Sequence, residues 1–301
     1  MIFFNHRVKS FQKSTGKTEI YLFAYISVDQ PAPDADDKGA DRFDVRLSGY
    51  LSIFFSRCQG LFCRFEKMKE ISDKSIDMIL CDLPYGVTKC EWDKKIDLKK
   101  LWNNYERVIK DNGVICLFAQ TKFYYELVDS NPKLFRYDLI WDKVLVSGFL
   151  NANRQPLRRH EQIAVFYKKQ PKYNPQMGEG QPLHGKGKVL TKIKKSNVYG
   201  KYNNLSDDRK GTTEKYPTSI LKVPRLNSSK MLYPTEKPIE LLEYLIKTYT
   251  DEGEVVLDNC MGSGTTGVAC KNTNRNFIGI EINKNAFEIA KKRLNFKENC
   301  V

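Results

Sequence analysis

The strongest constraint on the fold is an alternation of strands and helices that runs through the chain twice. From residue 75 the sequence reads as a buried strand (75–81), an amphipathic helix (98–110), a second buried strand (113–119) and a helix (123–129), then strands at 137–142 and 162–167. After a break it resumes: helix 239–250, strand 255–258, helix 265–271, strand 277–281 and helix 286–296. Apolar residues run continuously or alternate in the strands and recur at helical spacing in the helices. Such an order predicts an α/β fold, a mostly parallel sheet with helices on both faces. Asp111-Asn112-Gly113 reads as the stop of the first helix.

The break at 168–230 is compositional. It holds fifteen Lys/Arg against four Asp/Glu, a net +11 of the chain's +14, with glycines and tyrosines interspersed. Concentrated positive charge points to a polyanionic partner, and the segment reads as an inserted nucleic-acid-contacting region. A solvated loop is the competing reading. Upstream, residues 29–42 carry Pro31, Pro33 and a run of aspartates, the composition of a linker. The apolar run 21–28 lacks a cleavage site and reads as a strand. No stretch approaches the roughly 20 apolar residues needed to span a bilayer. The eight cysteines form no C-x-x-C pair and only three histidines accompany them, so no zinc ligand set is expected. Free thiols in a reducing, cytoplasmic setting fit best.

Strand 255–258 runs into Asn259-Cys260-Met261-Gly262-Ser263-Gly264-Thr265-Thr266 and then a helix. Glycines there let a ligand approach the backbone, and the helix start offers free N–H groups. Glu281 ends the next strand, nineteen residues after Gly262, where a carboxylate can accept hydrogen bonds from ribose hydroxyls. No Gly-Lys-Ser/Thr follows the turn, which argues against a P-loop. A nucleoside cofactor whose tail carries no phosphate, such as S-adenosylmethionine, fits better than a pyrophosphate.

Asp82-Leu83-Pro84-Tyr85 closes the strand at 75–81. The amino group of adenine or cytosine is a poor nucleophile because its lone pair is delocalised into the ring. A carboxylate and a backbone carbonyl accepting its two N–H hydrogens would restore that lone pair and aim it at a methyl group. Asp82 and the Leu83 carbonyl are the candidate acceptors, Tyr85 a stacking platform and Pro84 a stiffener. A base buried in a duplex would have to be extruded to reach them. No Pro-Cys dipeptide occurs, so the covalent cysteine route to C5 of cytosine lacks its usual nucleophile.

With these residues the chain resembles the β-class amino-methyltransferases of DNA, the permuted group in which the catalytic half precedes the cofactor half. The resemblance covers about residues 66–296. DLPYG at 82–86 is similar to the family's D-P-P-Y element, VLDNCMGSGTT at 256–266 to its D-x-F-x-G-S-G-T-T element, and YPTEKP at 233–238 to its H-P-T-x-K-P element. Arg159-His160-Glu161-Gln162 with Phe166 and Lys168, and Trp141-Asp142-Lys143, resemble the end of the catalytic half. The resemblance implies a Rossmann-like sheet with one antiparallel hairpin strand, S-adenosylmethionine as donor and double-stranded DNA as substrate. It also implies a target-recognition region in the basic insert and leaves open a cognate restriction endonuclease. Cofactor contacts carried over are Asp258, Cys260, Gly262, Ser263, Gly264, Thr265 and Glu281, with Thr235 and Lys237 helping to enclose the methionine end. Asp at the first catalytic position leans towards N6 of adenine.

The expected organisation is an extension (1–55), a catalytic half (56–169), the insert (170–230) and a cofactor half (231–301). Three positions depart from the family pattern. Leu83 replaces a proline, Asn259-Cys260 stands where proline and phenylalanine are usual, and Phe62-Cys63 occupies the place of a Gly-Asp pair that touches the cofactor's adenine. Cytosine N4 as target, and a DNA-binding remnant with an impaired cofactor pocket, are therefore the alternatives.

Overall fold

The computed structural model describes residues 19–25, 56–57, 67–86, 96–182, 194–196, 200–202, 211–227, 231–233 and 236–294. The linker 29–42, Phe62-Cys63, Thr235 and Phe296 lie outside the described residues. In chain order the elements are β1 (Glu19–Tyr25), β2 (Ser56–Arg57), β3 (Ile76–Asp82), α1 (Leu98–Val108), β4 (Ile109–Ala119), α2 (Thr121–Ser130), β5 (Phe135–Ser147) and β6 (Arg158–Phe166). Then come β7 (Gly178–Glu179), β8 (Lys194–Ser196), β9 (Gly200–Tyr202), β10 (Glu214–Lys215), β11 (Ile220–Lys222), α3 (Ile239–Tyr249), β12 (Val255–Asp258), α4 (Thr265–Asn272), β13 (Asn276–Glu281) and α5 (Lys284–Arg293).

Among the described residues the main sheet has the order β11-β5-β6-β4-β3-β12-β13-β1-β2. Strands β4, β3, β12 and β13 are mutually parallel, and β6 is antiparallel to both of its neighbours, β4 and β5. This is the mostly parallel Rossmann-like sheet with one hairpin strand that the sequence predicts. At the far edge the backbone of β1 adds an antiparallel strand to β13, with Tyr21 paired to Glu281. The strand expected at 21–28 is thus present over 21–25 and joins the sheet, and residues 26–28 lie outside the described residues.

Both faces of the sheet are buried, as parallel strands require. Ile79, Cys81, Ile115 and Leu117 face a cluster completed by Leu101, Trp102 and Tyr105 of α1 and Phe123 and Leu127 of α2. Met78, Leu80, Val114, Cys116 and Phe118 face the other cluster, with Leu241 and Leu245 of α3, Ala269 of α4 and Phe287 of α5. No helix among the described residues is long and apolar enough to cross a membrane.

Two boundaries differ from the sequence expectation. Helix α1 ends at Val108, and Asp111-Asn112-Gly113 belong to β4 and are not a helix stop. The glycine serves a close strand approach instead: a Cβ on Gly113 would lie 2.8 Å from the Asp77 carbonyl oxygen, beside a register shift between Ile76 and Met78. The basic stretch expected as an insert over 170–230 divides at narrower points. Pro175–Thr218 is a separate compact unit, and its described residues include two short antiparallel ribbons, β7 with β10 and β8 with β9. Ile220–Lys222 returns to the main sheet, parallel to β5.

Candidate active site

Asp82, Asp258 and Glu281 are the last residues of β3, β12 and β13, three adjacent parallel strands, so their carboxylates emerge along one edge of the sheet. Ligands of open α/β sheets bind at this carboxyl edge. A cavity of about 410 Å³ opens there, lined among others by Asp82, Tyr85, Lys237, Asp258, Gly262 and Glu281.

Asp82 sits in a network of alternating charge. Its Oδ1 accepts the Tyr85 hydroxyl at 2.5 Å, and its Oδ2 accepts the Lys237 ammonium. Lys237 Nζ also lies 3.6 Å from Glu161 Oε2, and Glu161 Oε1 accepts Lys143 Nζ at 3.1 Å. The row is Tyr85, Asp82, Lys237, Glu161, Lys143, two carboxylates interleaved with two ammonium groups. Burial pushes the Asp82 carboxyl above its usual range, with Lys237 and Tyr85 pulling the other way. Burial acts to raise Glu161 too, but its two lysines prevail and hold it below the ordinary value. Lys237 is raised, because the attraction of Asp82 and Glu161 overcomes its own burial. Tyr85 is pushed well up by burial and by the Asp82 charge, so its hydroxyl keeps its proton and donates it. Its ring packs on Phe123 at a centroid distance of 5.2 Å. Leu83 and Pro84 are buried directly beside it.

The glycine-rich turn is held by a second network. Glu281 Oε2 accepts Gly262 N–H at 2.7 Å, while Oε1 accepts the N–H groups of Ile282 and Asn283. Asp258 Oδ2 accepts the Thr266 hydroxyl at 2.6 Å and Oδ1 accepts Cys260 N–H at 3.0 Å. Burial lifts the Asp258 carboxyl to about 6 against these donors. Gly264 is left-handed (φ 77°), and a Cβ there would come within 2.7 Å of Ala290 Cβ, so α5 packs on the turn only because the residue is glycine. Arg293 donates to Ser263 Oγ at 2.9 Å and Thr265 Oγ1 at 3.0 Å, and its other guanidinium nitrogen meets Glu236 Oε1 at 2.8 Å. Glu236 thereby ties the segment before α3 to the turn.

The structure therefore gathers Asp82, Leu83, Pro84, Tyr85 and Lys237 around one cavity with Asp258, Cys260, Gly262, Ser263, Thr265 and Glu281, whereas Gly264, within the same turn, is not among the lining residues. Lys237, expected beside the methionine end of a cofactor, is bonded to the Asp82 carboxylate. Asn259, one of the departures from the family pattern, is fully buried and accepts the Tyr105 hydroxyl at 2.6 Å. Glu161, Lys143, Glu236 and Arg293 are the residues that sequence reasoning left without a role. A signal existed for Glu161: it shares strand parity with Ile163 and Val165, so a carboxylate stood on the buried face of a central strand.

The turn also fits the cofactor that the sequence implied. Gly262 (φ 54°) carries no side chain, and a Cβ at that position would meet nothing within 4 Å, which leaves open space above the turn for a nucleoside. Asp258 and Glu281 flank that space, and the cavity runs from it to Asp82.

A sheet of this order, with a carboxylate and a glycine-rich turn on adjacent strand ends, is the architecture of S-adenosylmethionine-dependent amino-methyltransferases. The chain belongs to the N6/N4 DNA methylase family, whose model matches residues 76–292. Type II methyltransferase M.HpaI of Haemophilus parainfluenzae is 28% identical over 255 residues, covering 80% of this chain and 76% of that protein. DNA adenine methyltransferase YhdJ of Escherichia coli is 26% identical over 247 residues, 76% of this chain and 79% of that one. Among solved structures, the M1.HpyAVI–SAM complex is similar with a TM-score of 0.51 and 27% identity, covering 78% of this chain and 96% of that one. The cytosine-N4-specific PvuII DNA methyltransferase has a TM-score of 0.55 at 16% identity over 79% and 85% of the two chains, a likeness of fold alone.

Proposed function

We propose that the chain methylates N6 of adenine at a specific site in double-stranded DNA, with the target nucleotide extruded into the cavity beside Asp82. The observation that carries this reading is the Asp82 carboxylate, held at a cavity that extends to the turn flanked by Asp258 and Glu281. A carboxylate presents about four lone-pair directions, so Asp82 can accept an amino N–H of the base besides Tyr85 and Lys237. The Leu83 carbonyl accepts the second N–H, and together they aim the nitrogen lone pair along the cavity. Lys237 opposes the protonation of Asp82 that burial favours, and so preserves both carboxylate oxygens as acceptors. Tyr85 fixes the carboxylate, and its ring, backed by Phe123, borders the place of the base. Bound S-adenosylmethionine supplies a methyl group activated on a sulfonium. Asp258, Glu281 and the 262–264 backbone hold and orient the donor for direct, in-line transfer.

Target recognition is assigned to the basic stretch around Pro175–Thr218, whose charge suits a phosphate backbone. Replacing its lysines by glutamine should lower DNA affinity and flatten its salt dependence. Cytoplasmic location and pairing with a restriction endonuclease complete the proposal; DNA modified by this chain should resist cleavage in a lysate of its host. Nucleoside mass spectrometry of DNA from cells making the chain tests the central reading. N6-methyladenine supports it, and N4-methylcytosine or an unmethylated genome contradicts it.

A further inference from the structure

The connection between β5 and β6 leaves the same edge of the sheet as Asp82, because β5 runs in the direction of β3. Its base is bonded to the catalytic network. Lys143 Nζ reaches both Glu161 and, at 3.4 Å, Ser147 Oγ, and Ser147 lines the cavity and donates to the Arg158 carbonyl. Gly148 then turns left-handed (φ 86°), and the single 3-10 turn Phe149–Asn151 forms the tip. The tip is ordered by its own backbone: Asn151, Ala152 and Arg154 N–H groups donate to the carbonyls of Gly148, Phe149 and Asn151.

The tip points apolar side chains at solvent. Phe149 is 76% exposed and Leu150 85%, and Leu145, Val146 and Leu157 beside them are exposed as well. A contiguous exposed apolar group marks a surface that meets a partner. Residues 144–160 contain no carboxylate and three arginines. Arg159 is committed to Asp142 through two hydrogen bonds, at 2.7 and 2.9 Å, and Arg158 donates its Nε to the His160 carbonyl at 3.0 Å, which leaves exposed Arg154 and the terminal nitrogens of Arg158 for an external anion. Apolar residues framed by arginines, on the rim of a cavity that receives a base, match a duplex: a hydrophobic stack between two phosphate rows.

We propose that Phe149 and Leu150 form a wedge that enters the base stack of DNA where the target nucleotide leaves it, while Arg154 and Arg158 hold the flanking phosphates. The proposal rests on the methyl-transfer reading above. Side chains inserted at a base step hold open a stack that otherwise recloses on the extruded base. Loss of the wedge therefore slows reaction only where the target must be pulled from a pair.

The test uses the full chain and duplexes carrying its site, mapped beforehand by methylation sequencing, with the target base either paired or opposite an abasic position. The double variant Phe149→Ala, Leu150→Ala should slow single-turnover methylation of the paired duplex by about tenfold or more and recover most of that loss on the abasic duplex. Thermal stability and S-adenosylmethionine affinity should be unchanged. Arg154→Ala and Arg158→Ala should each lower the salt slope of DNA binding by about one. Equal slowing on both duplexes, or none on the paired one, overturns the wedge. So does a sedimentation shift from dimer to monomer in the variant with an unchanged paired-to-abasic ratio, which assigns the tip to a second copy. A wild-type chain that methylates neither duplex overturns the methyl-transfer reading itself, before any variant is compared.

Discussion

Lys237 holds its ammonium against the Asp82 carboxylate across 155 positions of chain. The contact joins the segment before α3 to the carboxyl end of β3. Its consequence is electrostatic. Burial alone would protonate Asp82 more readily, and a protonated carboxyl loses acceptor capacity at one of its oxygens.

Replacing Lys237 by methionine should therefore move the acid limb of the kcat profile upward by about one pH unit or more. The sign follows from the need for ionised Asp82: activity is present above its pKa and lost as pH falls through it, and removal of the neighbouring cation raises that pKa. Lys237→Arg should bring the limb most of the way back. A profile that falls in height without moving along pH would assign Lys237 a merely structural part.

Asp258 gives a stability signature. Its carboxyl is pushed up to about 6 in the folded chain by burial, whereas an unfolded aspartate titrates near about 3.9. A raised folded value means the group's contribution is complete below the unfolded value and lost as pH rises through 6. The stability of Asp258→Asn relative to wild type should accordingly grow by on the order of 2 kcal/mol between pH 4 and pH 7.5, read by urea unfolding of the ligand-free chain. A difference independent of pH would contradict the burial argument.

Glu236 and Arg293 form a largely buried ion pair at 2.8 Å that also grips Ser263 and Thr265. Removing one partner strands the other, so Glu236→Gln should cost about 3 kcal/mol and weaken S-adenosylmethionine binding. The double variant Glu236→Gln, Arg293→Met should recover part of the stability and none of the affinity. A double-mutant cycle with no coupling would show that the pair does not support the turn.

What could be read in advance was local. Val255–Asp258, the glycine-rich turn and the helix after it announce themselves by buried runs, missing side chains and helical spacing, and Asp82 to Tyr85 by their place at a strand end. Asp111-Asn112-Gly113 misled because its turn-forming residues are the same ones that permit a close strand approach, and only the Asp77 carbonyl opposite Gly113 distinguishes the two. The Lys237–Asp82 and Arg293–Glu236 pairs join segments with no common periodicity, so nothing in either segment signals its partner. Glu161 was visible as a carboxylate at a buried parity, but its role depended on two lysines brought from β5 and from the start of α3.

The most direct test of the central claim compares wild type with Asp82→Ala, using labelled S-adenosylmethionine and unmethylated DNA, with cofactor affinity measured on both. Wild type should place label in N6-methyladenine, and Asp82→Ala should react about a thousandfold or more slower with equal cofactor affinity, because Asp82 acts on the acceptor base. Transfer by Asp82→Ala at the wild-type rate would contradict that claim.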